Sequence, residues 1–227
     1  MLQLCNVLFD VSLQAITDET TAYAARKISL KADSHWSPVS VEEMRAFIGI
    51  RLYMSVLVLP QTDMYWSHDT VSGNLFVRNI MQRNRFDKIS QYLHVTDVHS
   101  NPPRGDPLHD KLAHIRPLLE AVRRNCTERY NPHQNVSIDE AMVAFRGRLG
   151  FRQYIPSKPT KYGIKVWMRA DPHNGYCQDF QVYTGKTGTG QPEGGLGARV
   201  VKDLVAGIAR KNHIVNCDNF FYFTGPL

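Results

Sequence analysis

Residues 135–165 read N-V-S-I-D-E-A-M-V-A-F-R-G-R-L-G-F-R-Q-Y-I-P-S-K-P-T-K-Y-G-I-K, and this stretch carries both a change of secondary structure and the densest chemistry of the chain. Val136, Ile138, Ala141 and Val143 have the β-branched, short-run character of a strand. Asp139 and Glu140 interrupt that run where a carboxylate is costly to bury without a partner, so the pair marks a candidate ligand site. Between Ala141 and Ala170 there is no acidic residue, while seven basic ones recur: Arg146, Arg148, Arg152, Lys158, Lys161, Lys165 and Arg169. Phe145, Phe151, Tyr154, Tyr162 and Trp167 are interleaved with them. Cations among aromatic platforms are the composition of a phosphate-backbone contact surface. A merely solvated face is the plainer alternative, disfavoured because no acid inside the run balances it. Arg148, Arg152, Lys158 and Lys161 are the foremost candidates, with Arg146 and Lys165 beside them.

Downstream, Val136 to Val143, Tyr162 to Ala170 and Tyr176 to Tyr183 are three strand-like runs, and D-P-H-N-G at 171–175 is a hairpin signal. A turn-rich stretch from Thr184 to Gly195 precedes Leu196, Val200, Val201, Leu204, Val205 and Ile208, which repeat at helical spacing. His213 to Asn219 then reads as a short buried strand ending in Asp218. The spacing therefore predicts a three-stranded antiparallel meander, a helix, and a fourth strand lying parallel beside the first after a helical crossover. Asp139 and Asp218 would then sit side by side near neighbouring strand ends. Two such carboxylates repel unless a cation lies between them, and hard oxygen ligands favour Mg²⁺ or Mn²⁺. Asp218 can equally cap the helix that Phe220 should start. Glu140, one residue on from Asp139, should face the other way and be solvated or salt-bridged.

Upstream, the pattern is helical. Leu4, Val7, Leu8 and Val11, then Ile16, Tyr23 and Ala24, fit one or two helices. Ser40 to Glu43 is a capping box opening a helix with Met44, Phe47, Ile48, Leu52 and Val56 on its apolar positions and Pro60 beyond it. Met64 to Ser67 reads as an aromatic turn, and residues 75–93 as two short helices joined near Asn84. After a Pro/Gly loop at 99–107, Leu108 to Tyr130 reads as one long amphipathic helix, with Pro117 able to kink it or reset its start. The fold class is α+β, divided into a helical region 1–133 and a sheet-containing region 134–227.

The composition narrows the partners. A net charge of +6 tilts the chain towards polyanions, and 43% hydrophobic residues suffice for a core. Cys5, Cys126, Cys177 and Cys217 are widely spaced without C-x-x-C or Cys/His knuckles, so neither a disulfide framework nor zinc is indicated, and a reducing interior is expected. No apolar run approaches the ~20 residues that span a bilayer. Gly185 to Thr187 lacks the upstream glycine of a nucleotide loop, since Phe180 stands there. His109 and His114 are poorly spaced for a shared metal.

S-I-D-E-A-M-V-A-F-R-G-R from Ser137, F-R-Q-Y-I-P-S-K-P-T-K-Y-G-I-K from Phe151 and V-N-C-D-N-F-F from Val215 together resemble the piggyBac transposase family. M-Y-W-S at Met64, N-R-F-D-K-I at Asn84 and Y-L-H-V-T-D at Tyr92 extend the likeness over most of the chain. The resemblance implies an RNase H-like core (134–227) preceded by a helical dimerisation and DNA-binding region (1–133). It implies three aspartates holding two divalent metals that cut and join DNA at TTAA sites, DNA and a homodimer or a longer transposase chain as partners, and the nucleus as location. Asp139 matches the first aspartate and Asp218 the second. The third has no counterpart in these 227 residues, so the expectation is an incomplete core, C-terminally truncated, without zinc and inactive alone.

Overall fold

The computed structural model describes residues 13–69, 74–97, 99–185 and 194–221. The helix expected before residue 13, Cys5, most of the turn-rich 184–195 stretch and the start of a helix after Phe220 lie outside the described residues. The chain forms two compact units, Met1–Val122 and Arg123–Leu227.

In the first unit, α1 (Leu13–Leu30) and α2 (Val41–Val56) are followed by a 3₁₀ turn (Thr62–Trp66), α3 (Leu75–Ile80) and α4 (Arg83–Tyr92). The α2 start is the predicted capping box: the Ser40 side chain accepts from the Glu43 N–H while the Glu43 carboxylate accepts from the Ser40 N–H. Glu43 also takes a fork of hydrogen bonds from Arg85 at 2.9 and 2.7 Å, which ties α2 to α4. Between these helices Phe86 is wedged against Phe47 and Trp66, each ring pair 4.9 Å apart, and Met44, Ile50, Val77 and Ile89 fill the space around them. The break between α3 and α4 falls at Met81 and Gln82, slightly before Asn84.

The helix predicted over Leu108–Tyr130 is shorter. Residues 108–115 form turns and α5 spans Arg116–Glu128. Pro117, in the first turn, has no N–H to offer the carbonyl four residues back and its ring crowds that carbonyl, so the helix cannot extend upstream. Asp110 instead grips Arg116 with two hydrogen bonds of 2.8 Å and accepts the Leu112 N–H, stabilising the turn conformation.

The second unit holds the sheet: β1 (Asn135–Ala144), β2 (Gln153–Tyr154), β3 (Tyr162–Asp171), β4 (Tyr176–Val182), then α6 (Leu196–Val205) and β5 (Ile214–Cys217). β1, β3 and β4 are the predicted antiparallel meander, and β5 runs parallel to β1 after the α6 crossover. The two-residue β2, paired with the start of β3, has no strand pattern in the sequence and was not expected. Along β1, Val136 and Ile138 turn inward onto Trp167 and the α6 residues Val200, Val201 and Leu204. The β3–β4 turn closes with the Gly175 N–H donating to the Asp171 carbonyl, Gly175 adopting φ +74°. β5 is less buried than its apolar letters imply: Ile214 is 51% exposed, because the strand is an edge with β1 as its one neighbour among the described residues.

Candidate active site

Parallel pairing of β1 with β5 fixes the register Ile138 to Cys217, so one step further along both chains Asp139 and Asp218 stand beside each other. Adjacent strands lie about 4.8 Å apart. Alternation places Asp139 on the face opposite Ile138, and both aspartates are exposed. Asp139 Oδ1 accepts its neighbour's N–H, from Glu140, at 2.7 Å. Asp218 begins the 3₁₀ turn Asn219–Phe221, where its Oδ1 accepts the Phe220 N–H at 3.0 Å and its carbonyl the Phe221 N–H at 3.1 Å. The capping role anticipated for Asp218 thus coexists with its place at the strand end. The second carboxylate oxygens of both residues meet no protein donor among the described residues.

Two exposed carboxylates with unengaged oxygens are hard donors of the kind that hold a divalent cation. They fit as two of its ligands rather than as a closed shell, since no cluster of three His, Cys, Asp or Glu residues suited to a metal occurs among the described residues.

Glu140 points to the other face and is salt-bridged, to Lys165 at 2.6 Å and Lys158 at 3.3 Å. Burial alone would raise its carboxyl, but the two ammonium groups outweigh that and hold it below the ordinary glutamate value. Two of the basic residues singled out in the sequence therefore share the acid immediately before the run, whose single negative charge offsets one of their two positive charges. Lys165 is largely enclosed, with 14% of its side chain exposed, and its Nζ lies 4.9 Å from the Phe220 ring and 5.5 Å from the Trp167 ring. Arg169 is fully buried, donating to the Leu204 carbonyl at the end of α6.

Arg146, Arg148 and Lys161 remain exposed and carry no ion pair among the described residues. Arg152 Nη1 donates to the Arg146 and Gly147 carbonyls at 3.2 and 3.1 Å and its guanidinium lies 5.8 Å from the Tyr162 ring, bracing the loop between β1 and β2. Tyr154 and Tyr162 stack at 4.6 Å with both rings half exposed. On the same sheet, Asp171 is buried and accepts from Tyr130, from the His173 N–H and from both the N–H and the ring of His133. Those donors hold its carboxyl well below the usual range. A hairpin-turn aspartate signals a cap in sequence; the partners from 130 and 133 could not be read there.

A family model described as Transposase IS4 matches residues 6–224, and human PiggyBac transposable element-derived protein 3 is 36% identical over 160 residues, 70% of this chain and 26% of that protein. The chain belongs to the piggyBac-type transposase family. Human PiggyBac transposable element-derived protein 2 is 27% identical over 88% of this chain and 32% of its own length, and PiggyBac transposable element-derived protein 5 is 25% identical over 96% and 41%. The structure of a piggyBac transposase synaptic complex with hairpin DNA, solved by cryo-electron microscopy, matches with a TM-score of 0.73 and 29% identity, over 97% of this chain and 46% of that one. This piggyBac-type chain thus has the α+β, RNase H-like fold, and it spans between a quarter and two fifths of the length of the human relatives it matches. Divalent-metal dependence is a general property implied by the family, and among the described residues no helix is long and apolar enough to cross a membrane.

Proposed function

We propose that these residues form the part of a piggyBac-type transposase core that supplies two metal-holding aspartates, Asp139 and Asp218, and a phosphate-contacting loop. The observation that carries this reading is the pairing of β1 with β5, whose register leads from Ile138 and Cys217 to Asp139, midway along β1 rather than at its end, and Asp218, just past the end of β5. A Mg²⁺ or Mn²⁺ ion held there would activate water or a 3′-hydroxyl and stabilise the leaving oxygen of a DNA phosphodiester. The protein's part is to hold the carboxylates apart and to seat the DNA backbone. Arg146, Arg148, Arg152 and Lys161 are the principal phosphate contacts; Lys158 shares the single Glu140 carboxylate and contributes less, and Lys165, enclosed against that carboxylate, makes none. TTAA-directed cleavage and joining, a nuclear setting and a homodimer or longer transposase chain as partner belong to the same proposal.

These 227 residues by themselves bind DNA without cutting it. Two aspartates hold one ion weakly, whereas in-line displacement with two ions needs further ligands, and a misplacement of about 1 Å costs on the order of a hundredfold in rate. The test measures duplex binding by fluorescence anisotropy across a salt series, beside nicking and strand transfer on TTAA-flanked ends with Mg²⁺ or Mn²⁺. Four phosphate contacts predict a slope of log K against log salt of about −3.6, reduced by Arg148→Glu and Lys161→Glu for all sequences alike. A salt-insensitive complex refutes the DNA-binding reading; cleavage that disappears in Asp139→Ala refutes the claim of silence.

A further inference from the structure

Lys165 lies in the basic run, yet its surroundings are those of a brace. A strand lysine facing phosphate would keep its ammonium in water, whereas this one is enclosed between a carboxylate at 2.6 Å and two aromatic rings. The identity of its partners matters. Glu140 is the residue whose N–H donates to the Asp139 carboxylate, and Phe220 is the residue whose N–H donates to the Asp218 carboxylate. Lys165 therefore engages the side chains of the two residues whose backbones hold the two aspartates, one on β1 and one on the 3₁₀ turn after β5. Phe220 is half exposed, its ring meeting the Lys165 ammonium and, edge-on at 5.0 Å, the ring of buried Phe221. Gly197 reinforces the same arrangement from α6, since any Cβ there would run into the Phe220 carbonyl.

We propose that Lys165 is a positioning residue that couples Asp139 to Asp218 through Glu140 and Phe220 and so sets the spacing of the divalent-cation ligands. This rests on the metal-site reading above. Outer partners that orient metal ligands typically change affinity by about 10–100-fold when removed, and a brace acting through two residues should fall near the lower end.

The test is Mn²⁺ binding to the 227-residue chain, followed by electron paramagnetic resonance, in wild type, Asp139→Ala, Lys165→Met, Lys165→Arg and Phe220→Leu. Lys165→Met and Phe220→Leu should each weaken Mn²⁺ binding about tenfold, Lys165→Arg should restore most of it, and the salt slope of DNA binding should stay unchanged in all three. If Lys165→Met fails to fold by circular dichroism, Phe220→Leu, which leaves the Glu140 ion pair intact, decides. Wild-type binding that is absent or insensitive to Asp139→Ala sinks the metal site and the brace with it. Binding that depends on Asp139 but is indifferent to Lys165→Met and Phe220→Leu overturns the brace alone. A salt slope lowered by about one in Lys165→Met, with Mn²⁺ affinity intact, would instead make Lys165 a phosphate contact.

Discussion

The same substitution should have opposite signs at two helical glycines. At Gly197, in the first turn of α6, a methyl group would meet the backbone oxygen of Phe220 well inside van der Waals contact, with the Phe220 carbonyl carbon and the Phe221 Cα close behind. Alanine is intrinsically better than glycine in a helix by about 1 kcal/mol, though less at a first-turn position. Overpacking costs roughly 1–3 kcal/mol, and here the obstacle is main chain, which cannot rotate aside as a side chain would. The clash should win, leaving Gly197→Ala less stable by about 1–2 kcal/mol. At Gly49, midway along α2, the added methyl meets nothing within 4 Å. There only the propensity gain remains, and Gly49→Ala should stabilise by about 0.4–1 kcal/mol. Urea denaturation with a tryptophan signal measures both, since Trp36 and Trp66 lie in the first unit and Trp167 in the second. A Gly197→Ala protein as stable as wild type would mean that α6 does not approach the Asp218 turn as closely as described, and would remove one support of the site geometry.

Further outcomes follow from other local environments. Asp33 accepts from Lys88 and Tyr92, and these contacts lower its carboxyl from 3.8 to about 2. A depressed carboxyl stabilises above its unfolded value, so this contribution should be present at neutral pH and disappear as the pH falls from about 4 towards 2; Asp33→Asn should flatten that part of the melting-temperature profile. Burial raises the Cys177 thiol to about 11, so iodoacetamide at pH 8 should label exposed Cys217 well before Cys177, as read by peptide mapping. Phe86→Ala, in a site closed by Phe47 and Trp66, should cost about 3–5 kcal/mol in chemical denaturation.

Much of the fold is written in local patterns. The capping box at Ser40 needs only two residues three apart, and it forms as read. The parallel placement of β5 beside β1 follows from strand count and an intervening helix, because a crossover makes that pairing available. The failures have physical causes of the opposite kind. In Leu108–Tyr130 the apolar period continues through residues that are not helical, since one missing N–H at Pro117 outweighs amphipathic patterning. In β2 two residues cannot establish any period, and the strand exists because β3 offers an open edge to Gln153 and Tyr154.

The site shows where reading by segments fails. The run from Ala141 to Ala170 contains no acid, which makes its cations look available, but β-strand alternation turns Glu140 onto the same face as Lys165 while Asp139 faces away. Across an antiparallel pair the neighbours of a residue lie on another strand, so charge balance has to be counted over faces rather than over sequence windows. Counted that way, Lys158 and Lys165 share one carboxylate that offsets one of their two charges, Arg169 belongs to the interior, and the cations of the run without an ion pair among the described residues are Arg146, Arg148, Arg152 and Lys161, in and beside the loops flanking β2. Glu140 and Asp139 are adjacent in sequence yet differ in surroundings: the inward carboxylate pairs with two lysines, whereas the outward one carries no ion pair among the described residues, the condition that its proposed metal role requires.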